Sequence, residues 1–261
     1  REKYLAEFLW RYDGSYIFPE NDRFGFFPGI LLGWRLSEEK FFSDHIGFID
    51  NLKLRASWGQ MGNDNILFNG VLQEYRFLST YGFNTYIIGN SQVKTLTEMG
   101  VPNPGYTWEV ANNANIGLEG AALNNRLTFE LDVFHNVRTK ILMANEAQVP
   151  ATAGMQLPPE NLGKVKNRGF EFSVGYSDQI GDFRYNVSVN GGYAKNEVVR
   201  LPESPGLKPH QLSKGHTFGT DGAAFLVYEY DGVFVDQADI DKNQIDYSAA
   251  TNKLLPGDMK I

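Results

Sequence analysis

Several groups of side chains have the types and spacing that chemistry requires. Asp236, Asp239, Asp241 and Asn243 crowd oxygen donors into one stretch, the ligand type Ca²⁺ takes, but they lack the spacing and glycine of a calcium loop. A solvated acidic loop is the expectation, with no metal site. Tyr75, Phe77, Tyr81, Phe83 and Tyr86 interleave rings with polar residues. Such rings stack on the apolar faces of sugars, or pack on a partner or on neighbouring loops. Packing is the expected role, and Tyr75, Phe77, Tyr81 and Tyr86 are the candidate substrate contacts. Arg126, Glu130, Asp132 and Arg138 share one parity and therefore one face of a strand, where they would line a lumen or form ion pairs on a soluble sheet. His45, His135, His210 and His216 are scattered without metal spacing.

No G-x-S-x-G elbow, phosphate-cradling loop or HExxH occurs, and an enzyme is not expected; neither is a cofactor. The chain has 0 cysteines, which removes disulfides, thiolate metal sites and cysteine nucleophiles together. A net charge of −7 leaves no basic footprint for nucleic acid. No apolar run is long enough for a membrane helix. That does not exclude a membrane, because barrel strands alternate and hide their lipid face from averages such as the mean hydropathy of −0.34.

The elements that must position these residues are strands. Within residues 164–200, Phe170, Phe172, Val174 and Tyr176 alternate with Glu171, Ser173 and Gly175, and after a tight turn Phe183, Tyr185, Val187, Val189 and Tyr193 alternate with Arg184, Asn186, Ser188 and Asn190. Alternation over about ten residues per strand matches the span of a tilted transmembrane strand, whereas most strands of a soluble sandwich are shorter. The same pattern recurs at 4–13, 26–36, 52–62, 108–120 and 127–133, giving seven strands in all, with a further short strand expected at 225–234. Trp10, Tyr12, Trp34, Trp58, Trp108, Tyr176 and Tyr185 at strand ends are expected to form interfacial girdles.

Connections alternate in length, with long loops at about 63–106, 142–162 and 201–261. Outer-membrane barrels keep short periplasmic turns and long extracellular loops, so all three are expected outside the cell. Residues 1–261 are read as a single partial β-barrel domain, because an odd, open set of strands cannot close a bacterial barrel. The first residues contain no signal-peptide core, so either a mature chain or an internal piece is expected.

The stretches Phe26-Phe27-Pro28-Gly29 to Gly33-Trp34-Arg35-Leu36-Ser37-Glu38-Glu39, Leu52 to Asn63, Asn115-Ile116-Gly117-Leu118-Glu119, Asn161 to Phe172, Tyr230-Asp231-Gly232-Val233-Phe234 and Pro256-Gly257-Asp258 resemble the SusC/RagA family of TonB-dependent outer-membrane transporters. The resemblance runs from about Tyr4 to Ile261. It implies an all-β fold, an internal segment of a transmembrane antiparallel β-barrel of roughly 22 strands. It also implies import of oligosaccharides or oligopeptides with a SusD-like surface lipoprotein as lid, in Bacteroidetes-type bacteria. Energy would come from the TonB complex through an N-terminal region that these residues do not contain; plug, TonB box and terminal aromatic strand are likewise missing. Two alternatives stay open: a soluble secreted β-sandwich that binds carbohydrate through its aromatic loops, and a small passive porin.

Overall fold

The structure is a computed structural model that describes residues 3–68, 70–144, 157–203, 206–208, 212–218, 229–245, 247 and 253–260. The chain divides into two compact units, Arg1–Gly222 and Ala223–Ile261.

The first unit carries eleven strands: β1 (Tyr4–Gly14), β2 (Phe24–Arg35), β3 (Ile49–Asn63), β4 (Leu67–Phe68), β5 (Val71–Leu72), β6 (Tyr81–Ile88), β7 (Ser91–Glu98), β8 (Glu109–Ala122), β9 (Leu127–Met143), β10 (Glu160–Ile180) and β11 (Phe183–Arg200). Seven form one antiparallel sheet in the order β1-β2-β3-β8-β9-β10-β11. Every neighbour pair follows in sequence except β3 and β8, between which the β4–β5 and β6–β7 hairpins are inserted. Among the described residues β1 and β11 do not pair with each other, so the sheet is open.

Turn chemistry sets the register. The β10–β11 connection is a two-residue turn in which Gly181 takes a φ of +60°, a conformation that glycine adopts without a Cβ clash. Between β8 and β9, Leu123, Asn124 and Asn125 all adopt positive φ; asparagine tolerates that region better than most residues.

The register sorts side chains to two faces. On one, Leu54, Leu118, Leu131, Phe172 and Gly191 are successive cross-strand partners. The same face carries Phe8, Trp10, Ile30, Leu32, Ile116, Val133, Phe170, Val174, Val187, Val189 and Tyr193, all exposed. Soluble monomers do not leave apolar rows of this extent in water; lipid is the solvent in which the sheet is stable. On the other face, Arg55, Gly117, Asp132, Glu171 and Gly192 run across the same strands.

The core lies at the end of the sheet where the longer connections gather. Ile17, Phe18, Phe27, Ile66, Tyr106, Trp108 and Leu142 form one buried cluster, and Trp108 contacts Phe18 and Phe27 at ring-centroid distances of 5.0 and 5.4 Å. This corrects the girdle expectation for Trp108. The segments around Ile17 and Ile66 close over it, so it is a core residue.

Residues 63–106, expected as a long loop, hold two hairpins. At the tip of the second, Gly89 takes a φ of +61°, a conformation that glycine adopts without a Cβ clash. β9 and β10 extend beyond the expected boundaries, into 142–162. Of the strand expected at 225–234, residues 225–228 lie outside the described residues; at its end Val233 forms a single bridge with Met259. In the second unit, a short helix, Gln237–Lys242, is capped by Asp236, whose carboxylate accepts from the Asp239 amide at 2.9 Å.

Candidate functional site

The face opposite the lipid wall carries a charge cluster that spans three strands. Arg55 of β3 bonds Asp132 of β9 at 2.6 Å, pairs with Glu130, and lies 3.4 Å from the Glu119 carboxylate of β8 as an ion pair. Lys53 bonds Glu119 at 2.9 Å. Arg55 reaches β9 only because the intervening partner is Gly117: a Cβ there would lie 2.6 Å from Asp132 Oδ1 and 2.7 Å from Arg55 Nε. Beside the cluster, Glu130, Asp132, Glu171, Ser173, Asn190 and Gly192 line an open concavity. Asn113, Asn115, Asn136 and Asn167 line the adjoining one. Carboxylates followed by amides make a surface that can hydrogen-bond polar groups.

Of the four charged residues expected on one face, Glu130 and Asp132 join this cluster. Arg126 lies at the turn before β9 and pairs instead with Asp178 at 3.3 Å, a residue that also accepts from the Tyr176 hydroxyl at 3.2 Å and the Gln179 amide at 2.8 Å. Arg55 and Lys53 were not picked out from sequence. Their parity with Ser57 and Gly59 was visible, but their partners lie on strands 66 to 77 residues away.

The aromatic segment divides. Tyr75 and Phe77 are 6.3 Å apart, and Tyr75 lies 5.7 Å from Tyr16. Tyr16 donates to Glu74 at 2.6 Å, and that carboxylate pushes the Tyr16 hydroxyl's pKa upward. Tyr81 and Tyr86 are in the β6–β7 hairpin, where odd parity places Tyr81 with Phe83 on one face and Tyr86 on the other. Tyr81, Phe83, Tyr86, Ile87, Ile88 and Leu96 are all exposed there, Phe83 at 82 %.

The base of this hairpin is anchored. The buried Tyr106 hydroxyl, its pKa pushed up by burial, donates to the Gln73 carbonyl at 2.7 Å. Asn103 donates to the Pro159 carbonyl at 2.8 Å, and Asn161 donates to the carbonyls of Thr107 and Lys140 at 2.9 and 2.8 Å. These bonds tie the β3–β8 connection to the β9–β10 connection.

The remaining candidates have local partners. Asp239 pairs with Lys260 at 3.2 Å, which lowers its pKa. Asp241 accepts from Gln237 and Asn243 from the Ile245 amide. His45 contacts the Phe41 carbonyl, His135 is exposed on β9, and His216 accepts a backbone bond from Val198. His210 lies outside the described residues.

An open antiparallel sheet with an exposed apolar face and a polar opposite face is the wall of a membrane β-barrel. The chain matches the TonB dependent receptor-like, beta-barrel family over residues 4–251 and belongs to it; it is an outer-membrane protein. It is 29 % identical over 241 residues to TonB-dependent receptor P3 of Formosa agariphila, covering 89 % of this chain and 23 % of that receptor. Against TonB-dependent receptor SusC of Bacteroides thetaiotaomicron it is 30 % identical over 204 residues, covering 76 % and 20 %. The RagAB peptide importer in its closed-closed state superposes with a TM-score of 0.64 at 25 % identity, covering 79 % of this chain and 21 % of that one. The chain spans about a fifth of the length of the relatives it matches. The soluble sandwich is set aside by the family and by the sheet's exposed apolar face.

Proposed function

We propose that this chain is wall and extracellular loop of a TonB-dependent importer of oligopeptides or oligosaccharides, working with a SusD-like lipoprotein lid and driven by the TonB complex. Residues 1–261 then belong to one barrel domain, with 63–106, 142–162 and 201–261 outside the cell. The observation that carries the reading is the two-faced sheet, lipid-type on one side and charged on the other, in a chain of this family. RagAB, on which this chain superposes, is a peptide importer, which supports oligopeptides. The amide row supports sugars equally well, since hydroxyls and peptide groups both bond to amides.

In this stretch of wall the cluster sets Glu119, Glu130, Asp132 and Glu171 against Lys53 and Arg55. Four acids minus two bases leave an excess of two negative charges, which favours neutral or basic oligomers over polyanions. The exposed rings of the β6–β7 hairpin are the proposed first contact for substrate or lid.

The intact mass of the native protein, purified in detergent from outer membranes, tests the architecture. The expected mass is several-fold above the 29.4 kDa of this chain, with a SusD-like lipoprotein co-purifying. A mass equal to this chain's would leave the small porin as the better account. Growth on defined peptides or glycans with and without the gene then separates the substrates.

A further inference from the structure

On the lipid-facing side of β10 and β11 the apolar rows stop abruptly. Phe170 and Tyr193 are cross-strand partners with ring centroids 6.3 Å apart. The next outward pair toward the long connections is Arg168 with Lys195, then Lys166 with Glu197, then Lys164 with Arg200. Lys166 bonds Glu197 at 2.8 Å. The pairs on either side of it are like-charged and directly opposed, an arrangement that destabilises a sheet unless something neutralises it. Among the described residues, none of Lys164, Arg168, Lys195 and Arg200 forms a close salt bridge, and Glu197, already bonded to Lys166, is the one acid whose charge Arg168 and Lys195 feel. Five cations against one acid here contrast with a whole chain of 24 basic and 31 acidic residues, so the cluster does not follow from composition.

Its place is equally specific. β10 has 21 residues, roughly 70 Å at about 3.3 Å per residue. That exceeds what a tilted strand needs to cross a hydrocarbon core of about 30 Å. The outward cations begin one residue pair beyond the last ring pair. With the long loops outside, as proposed above and on which this inference rests, that is the headgroup level of the outer leaflet.

We propose that Arg168 and Lys195, with Lys166 beside them, bind the phosphate of an anionic outer-leaflet lipid whose acyl chains lie over Phe170, Phe172 and Tyr193. The phosphate bridges the like-charged pair and adds the counter-charge that Glu197 alone does not supply to five cations, and the exposed rings below it receive the chains. Charge and apolar surface adjoin in the order in which a phospholipid or phosphorylated glycolipid presents them. Lys164 and Arg200 extend the site to a second anionic group.

The test uses the native protein in neutral detergent, titrated with phosphatidylglycerol, phosphatidylcholine and inorganic phosphate and read by native mass spectrometry. Phosphatidylglycerol should bind and phosphatidylcholine should not displace it. At about fivefold per cation, the double variant Arg168→Gln/Lys195→Gln should weaken phosphatidylglycerol roughly thirtyfold. The exchange Arg168→Lys/Lys195→Arg should retain it, and Glu197→Gln should tighten it. Unchanged affinity in the glutamine variant overturns the site, and so does inorganic phosphate competing as strongly as the lipid, which would mark a free-anion site. Quenching of Trp10 and Trp58 by brominated lipid in vesicles checks the wall reading separately. Quenching with unchanged lipid affinity discards only this site; no quenching discards the wall.

Discussion

The two halves of the β3–β8 connection treat the same kind of side chain in opposite ways. At its base Ile66, Tyr106 and Trp108 are buried with Phe18 and Phe27, and hydrogen bonds through Asn103 and Asn161 fasten the packing. At its tip Phe83, Tyr86, Ile87 and Leu96 stand in solvent. Burial of apolar area stabilises the base; the tip gains nothing comparable and leaves a surface that a ligand or partner can desolvate. The lipid wall is a third case, in which exposure to acyl chains replaces burial. An exposed ring therefore has a meaning only once its solvent is known.

The largest expected effect comes from the base. Phe18→Ala removes a fully buried ring and should cost about 3–5 kcal/mol. Phe83→Ala at the tip should stay within about 0.5 kcal/mol while weakening capture of substrate or lid. Thermal unfolding and limited proteolysis of both variants, beside a binding assay, check this. Equal destabilisation would show that the tip also packs and is no capture surface.

The wall is next. Leu131→Arg, in the middle of the apolar rows, should cost about 2–4 kcal/mol in a bilayer. Thr128→Arg, on the opposite face of the same strand, should cost less than about 1 kcal/mol. Urea titrations in lipid vesicles decide it, and similar costs would mean that the two faces have been assigned the wrong way round.

Period-2 alternation made the wall legible in the sequence: Phe170 to Tyr176 and Phe183 to Tyr193 have the pairing that the pattern requires. Turns such as Gly181-Asp182 were legible for the same reason, since they depend on local backbone preferences. The packed base was not. Trp108 reads as one more strand-end aromatic until Phe18, Phe27 and Ile66 converge on it, and that convergence is a tertiary fact. The β6–β7 hairpin was read as part of a long loop, because the alternation before its Gly89-Asn90 turn is broken by Asn84 and Thr85. Arg55's partners depend on the register of β3, β8 and β9 together, and no local spacing encodes it.

A smaller effect tests the lumen cluster. Gly117→Val fills the path that Arg55 takes to Asp132. It should cost about 1 kcal/mol beyond its strand propensity. In a double-mutant cycle with Arg55→Leu that cost should shrink to what the contact with Asp132 leaves, because the bond it blocks is already gone. Additive penalties would mean that Gly117 serves backbone packing and that the cluster does not depend on it.

The smallest effect sits at the opposite end of the sheet, where ionic bonds take the place of packing. Glu39 accepts from Lys3 at 2.9 Å, from the Tyr4 hydroxyl at 2.8 Å and from the Trp34 indole at 3.2 Å, fastening the start of β1 to the end of β2. These bonds, the one from Lys3 foremost, lower its pKa from 4.5 to about 2. A depressed carboxyl stabilises the fold above its unfolded pKa and loses that contribution as pH falls through the folded one. Hydrogen-exchange protection of the Arg35 amide, which bonds the Lys3 carbonyl at 2.8 Å, should therefore hold above about pH 4.5 and decline toward pH 2. Glu39→Gln should lower it at neutral pH and flatten the acid decline. The packed base should keep its protection across the same window, because the Tyr106 hydroxyl stays protonated throughout it. Parallel loss at both ends would show global acid unfolding and would dissolve the distinction between an ionic end and a packed one.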